Sequence, residues 1–461
     1  MQETRRNLLK FCGQAVLGAS ALPLPFGKAL AEEAGAEPHY FIEIIFIGGW
    51  DVSYLFDARP LAMRAAGKLQ NYSKAEPERW TDAAGRSALM GSIVAPLKKH
   101  FDVFSVLNGV HMATSFDGHD QNKLYTLTGN PFGGDTYLAQ LGRQGSLIDY
   151  VQLGNLMARP NITNKARSIR LTPQSAQQLS LSLQSGAVAK ANPVLDAYVD
   201  SRLVANGGDR PESGLFADGV AKMREGLKGS RQIEDRLRAI QFNFEQKSPM
   251  IQSLEVSAEY FRRGIARVAL ITADEQLDAH AALLASEQPQ KLAQVVATID
   301  EVFTFLKGQA PTSPRNGSLL DETTIIVTSE FSRTMRQKGL DIAATGTDHN
   351  ALNNSVLIGG KGVRGGQIIG GSDYQAADET LSAVHSRLDP EALKFMGSPF
   401  DFAAERSRPS AQTDAEYRME DYLTFGSVAN TLYRLFNADP AHAWKLSRNG
   451  PPAPFLKGIL L

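Results

Sequence analysis

Carboxylates and imidazoles recur in this sequence beside runs of apolar, β-rich residues. Asp51 follows the run FIEIIFIGGW, and Glu330 comes directly after TTIIVTS. Carboxylate oxygens and imidazole nitrogens are the ligands that divalent cations such as zinc, manganese and magnesium take in proteins. Judged by their positions near predicted strands, the candidate metal ligands are Asp51, Asp278, His280, Glu330, Asp348 and His349.

The elements that would position these side chains alternate between strands and helices. Apolar runs predict strands at 41–47, 102–107, 266–272, 323–329 and 355–358. One clear helix is predicted by an apolar stripe at 3.6-residue spacing, made of Leu292, Val295, Val296, Ile299, Val302, Phe303 and Leu306. The pattern indicates an α/β fold with a largely parallel sheet and helices on both faces. Because ligands of such sheets bind beyond the carboxyl ends of the strands, we expect the candidate ligands to converge there.

Each candidate residue also has a purely structural interpretation. An Asp after a strand commonly caps a helix or closes a turn, and a single His is usually just solvated or hydrogen-bonded. Arg333 and Arg336, near Glu330, fit either an anion-binding role or ordinary surface charge. The glycines of 359–371 lack the GxxxxGK[ST] spacing of a phosphate-binding loop, so a glycine-rich hairpin is the favoured interpretation.

The N-terminus predicts an exported protein. Residues 4–11, TRRNLLKF, carry the Arg5–Arg6 pair of a twin-arginine export signal, followed by an apolar stretch too short and too interrupted to anchor the chain in a membrane. Cleavage is predicted after Ala31, which implies a periplasmic location and contact with the twin-arginine translocase during export. The alternative is a basic amphipathic helix of the folded protein.

Composition excludes several classes of protein. The 461 residues carry 48 Lys and Arg against 49 Asp and Glu, so a strongly basic nucleic-acid binder is not expected. The one cysteine, Cys12, lies in the predicted leader, which leaves no disulfide framework. We predict a single domain over 32–461. It would carry a mostly helical insertion at about 150–250 and a long polar surface segment at 372–420.

Several of these motifs together resemble a known family. The leader, FIGGWD, LDAH, TSEFSRT and GTDHN followed by VLIGGKGVRGGQIIG are similar to domain of unknown function 1501, a family of exported bacterial proteins related to the alkaline phosphatase and sulfatase superfamily. The resemblance covers roughly 40–130 and 255–461. It implies an alkaline-phosphatase-like fold, in agreement with the α/β interpretation of the residues.

The resemblance also implies roles for the candidate residues. Asp51 and Glu330 would share one metal, and Asp278, His280 and His349 would hold another. Phe331 stands where phosphatases of the superfamily have a second metal-binding His, so a site of Asp51 and Glu330 alone would suit magnesium or calcium better than zinc.

The resemblance would place the nucleophile of a phosphatase reaction in residues 111–125. Thr114 and Ser115 are the candidates, and His119 matches the family's own motif and is a further candidate catalytic residue. Neither the phosphatase DSA-type motif nor the sulfatase nucleophile pattern is present. A substituted nucleophile or direct attack by activated water would then be required.

Two functions of different class remain open. The first is a metal-dependent hydrolase of phosphoesters, sulfoesters or related small anionic substrates. The second is a non-catalytic periplasmic binding or assembly scaffold that keeps the fold. Convergence of the candidate ligands within coordination range distinguishes a metal site from a chance pattern.

Overall fold

The structure is a computed structural model of the 461-residue chain. It describes residues 37–58, 76–112, 118–130, 136–143, 146–154, 168–184, 229–273, 275–334, 347–373, 396–408, 419–446 and 450–461. They fall into two compact units. The major unit takes in the described residues of 37–141 and 270–461, and the minor unit those of 142–154 and 163–269. The predicted leader lies outside the described residues.

The strands and helices follow one another along the chain as the apolar runs predict. The strands are β1 (Tyr40–Phe46), β2 (Glu78–Thr81), β3 (Ser87–Met90), β4 (Phe104–Asn108), β5 (Tyr150–Leu153), β6 (Ser168–Leu171), β7 (Val268–Ala273), β8 (Thr323–Ser329), β9 (Ser332–Arg333), β10 (His349–Asn350), β11 (Val356–Gly360), β12 (Ile368–Gly370), β13 (Ser372–Asp373), β14 (Met396–Gly397), β15 (Phe400–Asp401) and β16 (Arg406–Ser407). The chain also contains the α-helices α1 (His119–Thr128), α2 (Tyr137–Gly142), α3 (Pro173–Gln184), α4 (Pro249–Arg262), α5 (Ala282–Gly308) and α6 (Phe425–Leu435).

The main sheet of the major unit has the strand order β12-β4-β11-β8-β1-β7. β1 pairs in parallel with β8, with Ile44 opposite Val327, and β12 pairs in parallel with β4. β11 is antiparallel to both of its neighbours, β4 and β8. The prediction of an α/β fold on a largely parallel sheet is therefore confirmed, with β11 as an antiparallel strand within it.

The sheet is covered on both faces. All residues of β4, β7 and β8 are buried, as are six of the seven in β1, although successive side chains point to opposite faces. Strands buried on both faces have nearly continuous apolar sequences, so apolar runs predict them well. All five predicted strands match observed ones to within a few residues.

Helix α5 contains the predicted apolar stripe. Every member, from Leu292 to Leu306, is almost completely buried. Burying an aliphatic or aromatic side chain of this size contributes roughly 1.5–3 kcal/mol, so packing of this face, rather than helix propensity, stabilises the helix.

The glycine-rich segment 359–371 is not a hairpin, and that interpretation was wrong. β11 and β12 both pair with β4, one on each side, and they are not paired with each other. Gly359 packs against β4 so closely that a Cβ would lie 2.5 Å from the carbonyl oxygen of Val103. The glycine at this position therefore permits a close approach between neighbouring backbone segments.

The minor unit combines a pair of parallel strands, β5 and β6, with helices. Residues 229–238 are helical, and Ser180 of α3 donates to the carbonyl oxygens of Leu237 and Ile240 at 2.9 and 2.6 Å. Much of the predicted insertion at 150–250 lies outside the described residues. In the part of the chain that is described, no helix is both long and apolar enough to cross a membrane.

Candidate metal centre

The turn after β1 forms one wall of the site. Gly48 and Gly49 both have positive φ angles, +111° and +76°, which side chains other than glycine rarely adopt. A Cβ at Gly48 would lie 2.6 Å from the backbone nitrogen of Asp278, and one at Gly49 would lie 2.3 Å from the ring of Phe331. The two glycines therefore let the backbone pass directly against two segments that carry candidate ligands.

Three histidines from separate parts of the major unit meet beside this turn. His119 is the first residue of α1, His280 lies between β7 and α5, and His349 belongs to β10. Each offers a ring nitrogen, and these nitrogens lie within 4.8 Å of one another. Among the described residues, these three histidines form a group that could hold a metal ion.

The spacing of the ring nitrogens fits a common cation. Nε2 of His119 and Nε2 of His349 are 3.2 Å apart. Two nitrogens bound to one tetrahedral ion at about 2.0–2.1 Å lie about 3.3 Å from each other. The residues therefore fit a divalent metal, and a nitrogen-rich set favours zinc and related transition metals over magnesium or calcium.

Glu330 orients His119. Its Oε1 atom lies 2.8 Å from Nδ1 of His119 and accepts from the backbone N–H of Gly48 at 2.9 Å, while Oε2 accepts from the hydroxyl of Ser329 at 3.0 Å. Burial alone would raise the pKa of Glu330, but the hydrogen bond and charge of His119 outweigh it and lower the pKa. A carboxylate at Nδ1 leaves Nε2 facing the centre, as in many carboxylate–histidine–metal arrangements.

Asp278 has the corresponding contact with His280. Oδ1 of Asp278 is in hydrogen-bond contact with Nδ1 of His280, whose Nε2 lies 3.6 Å from Oδ1 of Asp348. Burial opposes the charged form of Asp278, but the hydrogen bond from His280 and the charge of Arg333 lower its pKa to about 2. The nearby carboxylate of Asp348 raises the pKa of His280.

Arg333 is buried and its donors face the protein. Nε donates to the carbonyl oxygens of Gly48 and Gly49 at 3.1 and 3.2 Å, and Nη2 donates to Gly48 and, at 3.0 Å, to Oδ1 of Asp278. This geometry favours an internal role over the anion-binding role considered for Arg333 from the sequence. Arg336, its companion in that hypothesis, lies outside the described residues.

Phe331 and His349 complete the packing around the centre. The buried ring of Phe331 lies 4.3 Å from the ring of His349 and 4.9 Å from that of His119, measured between centroids. Burial, followed by the positive charge of Arg333, lowers the pKa of His349 to about 3. His349 is therefore neutral at physiological pH, the state in which an imidazole binds metal.

The remaining candidates have different surroundings. Asp51 is buried, and its Oδ1 accepts from both the backbone N–H and the hydroxyl of Ser53, the pattern of a local turn. It is not a member of the histidine group. Thr114 and Ser115 lie outside the described residues and remain predictions.

Sequence reasoning placed His119 among the catalytic residues, whereas the geometry places it with His280 and His349. The bridging role of Arg333 was not expected. Both depend on contacts between residues more than 50 positions apart in the chain, for which the sequence carries no periodic signal.

The fold and this histidine group define an α/β protein with a candidate metal centre near the carboxyl ends of β1 and β8. The sequence model of the family described as "Protein of unknown function (DUF1501)" matches residues 260–398, which confirms the predicted family resemblance over that segment. No curated protein matches the chain.

Solved structures of the alkaline phosphatase and sulfatase superfamily are similar to this chain at low identity. A protein of the alkaline phosphatase superfamily from Vibrio parahaemolyticus is 8% identical, with a TM-score of 0.36, covering 93% of this chain and 97% of its own. A variant of TAB5 alkaline phosphatase with magnesium in its M3 site is 12% identical, with a TM-score of 0.29, covering 72% and 94%.

A third similar structure is the PsFucS1 sulfatase from Pseudoalteromonas sp., which is 12% identical, with a TM-score of 0.29, covering 83% of this chain and 74% of its own. Identities and TM-scores this low transfer no residue roles and no activity. The roles of individual residues therefore follow from the geometry of this chain alone.

Proposed function

We propose that this chain is a metal-dependent hydrolase of small anionic esters, a phosphoester or sulfoester, that is exported to the periplasm. His119, His280 and His349 hold the divalent cation, with zinc as the preferred ion. The observation that carries the proposal is the convergence of their ring nitrogens within 4.8 Å.

The carboxylates around the histidines support a metal centre over a cluster of hydrogen-bonded histidines. Glu330 and Asp278 each contact Nδ1 of one histidine, which orients the ring and leaves its Nε2 for the cation. Such paired contacts raise the basicity of the ligating nitrogen and limit the rotation of the ring.

The charge balance makes the binding of an anionic substrate dependent on the metal. The acidic groups Asp278, Glu330 and Asp348 surround the histidines, and Arg333 supplies one internal positive charge. An anion is repelled by this net negative charge until a divalent cation offsets it. A bound cation would supply Lewis acidity toward the ester.

Residues of the chain itself would then supply the nucleophile and the access of substrate to the centre. His119, at the N-terminus of α1, follows the candidate nucleophiles Thr114 and Ser115 closely in the sequence. His280, which is half-exposed, leaves the centre accessible from solvent on its side.

The direct test is hydrolysis of p-nitrophenyl phosphate, bis-p-nitrophenyl phosphate and p-nitrophenyl sulfate by protein loaded with zinc, manganese or magnesium. We expect activity with at least one ester, lost on chelation and in His349→Ala, and retained in His442→Ala, which removes an exposed histidine elsewhere. Metal-loaded protein with no activity toward any of these esters contradicts the proposal.

The packing of Phe331 favours a second candidate function, a scaffold that retains a metal without catalysis. Both oxygens of Glu330 are already hydrogen-bonded, and Phe331 packs on two of the histidines. A scaffold predicts stoichiometric metal, a stability that depends on it, and no hydrolysis of the ester panel.

A further inference from the structure

Arg333 is connected to each of the three histidines by a different route. Its backbone pairs with that of His349 in the antiparallel β9–β10 ladder. Its Nη2 donates to Oδ1 of Asp278, the same oxygen that contacts Nδ1 of His280. The third route, to His119, passes through the backbone of Gly48.

Gly48 is held through both its backbone N–H and its carbonyl oxygen. Its carbonyl oxygen accepts from Nε of Arg333 at 3.1 Å and also from Nη2. Its N–H donates at 2.9 Å to the Glu330 oxygen that contacts Nδ1 of His119. A displacement of Gly48 would therefore disturb the partners of His119 and His280 together.

We propose that Arg333 is the positioning residue of the metal centre. Its guanidinium ties Asp278 to the Gly48–Gly49 carbonyls, so that His280 presents Nε2 toward the cation and Glu330 keeps the contact that orients His119. This inference rests on the proposed function in one respect, the presence of the cation.

The role requires the planar fork of arginine and not charge alone. Nε bridges two adjacent carbonyl oxygens while Nη2 reaches both Gly48 and Asp278. A lysine ammonium is a point charge on a flexible stem and cannot make these contacts in fixed directions. Arg333 is also buried, which separates its role from direct substrate binding.

The test compares wild type, Arg333→Lys and Asp278→Asn by titration with Co(II), followed by its visible absorption spectrum and by competition with a chelator. We expect each substitution to weaken Co(II) binding by about 10- to 100-fold, as substitutions behind metal ligands commonly do, and to change the spectrum. The double variant should lose less than the sum of the two single losses, because the Arg333–Asp278 contact is shared, whereas Arg333 alone also holds the Gly48–Gly49 carbonyls. Arg434→Lys, at an exposed arginine, should match wild type.

Crystal structures of metal-free wild type and Arg333→Lys provide a readout that needs no metal. We expect displaced Gly48–Gly49 carbonyls and a rotated His280 ring in the variant. Unchanged Co(II) affinity and spectrum, or an unmoved His280, overturns the inference. Wild type that binds no Co(II) overturns the proposed function instead, and the two crystal structures still decide the role of Arg333.

Discussion

Oε1 of Glu330 lies 2.8 Å from Nδ1 of His119, joining the end of β8 to the start of α1 across 211 residues of sequence. The same oxygen accepts from Gly48 at 2.9 Å, so one carboxylate fixes both an imidazole and the turn after β1. In the proposed metal centre, Glu330 would therefore act on the cation through His119.

Replacing Glu330 with Gln tests this relationship. The amide is nearly isosteric but carries no charge, so Nδ1 of His119 loses its charge-assisted contact and metal affinity should fall by about 10- to 100-fold. Competition with a chromophoric chelator measures the change. Glu245→Gln, at an exposed glutamate, is the control. Equal affinities in wild type and Glu330→Gln would show that Glu330 does not support the site.

Gly48→Ala separates steric contact from backbone strain when it is compared with Gly85→Ala. Both glycines have positive φ, but a Cβ at Gly85 meets nothing within 4 Å, whereas one at Gly48 meets the backbone of Leu277 and Asp278. We expect Gly85→Ala to cost about 1–2 kcal/mol of unfolding free energy and Gly48→Ala clearly more. Urea denaturation measures both, and equal losses would contradict the close approach of the turn.

Glu43 gives the fold a pH dependence separate from the metal centre. It lies fully buried in the middle of β1, and burial raises its pKa to about 8, with Tyr137 offsetting only part of the effect. An acid with a raised folded-state pKa contributes stability that is present below pH 4.5 and is lost as pH rises through about 8.

Glu43→Gln should remove this dependence. Between pH 4.5 and about 8, the difference in unfolding free energy between wild type and the variant should move against wild type by roughly 1.4 kcal/mol per pH unit. Denaturant titrations across this range measure the difference. Parallel curves for the two proteins would show that Glu43 ionises normally in the folded state.

The N-terminal prediction concerns export. We expect the mature protein to begin at Glu32 and to be found in the periplasmic fraction, whereas Arg5→Lys with Arg6→Lys should leave the full-length chain in the cytoplasm. Fractionation and N-terminal sequencing measure both. Lys10→Arg, outside the arginine pair, is the control. Equal export of the double-lysine variant would argue for another route.

The sequence predicted the scaffold of the site better than its contacts. The strands at β1, β7 and β8 and the buried stripe of α5 were predictable because apolar periodicity records burial directly. The direction of β11 was not, since the burial pattern of a covered strand is the same for parallel and antiparallel neighbours.

The candidate metal centre was likewise predictable from the sequence only in part. His280 and His349 were predicted as ligands from their positions near strand ends, and the structure brings them together with His119. Whether Glu330 binds a cation directly or orients a histidine depends on which atoms its two oxygens face. That outcome is set by side-chain packing between distant segments, which one sequence does not record.

The most direct test of the central claim is the metal stoichiometry of the purified protein. Elemental analysis and zinc titration of wild type should give one tightly bound ion per chain, and His119→Ala, His280→Ala and His349→Ala should each weaken binding strongly, while His442→Ala does not. Wild type that binds no divalent metal, or that binds it equally well without these three histidines, would contradict the account.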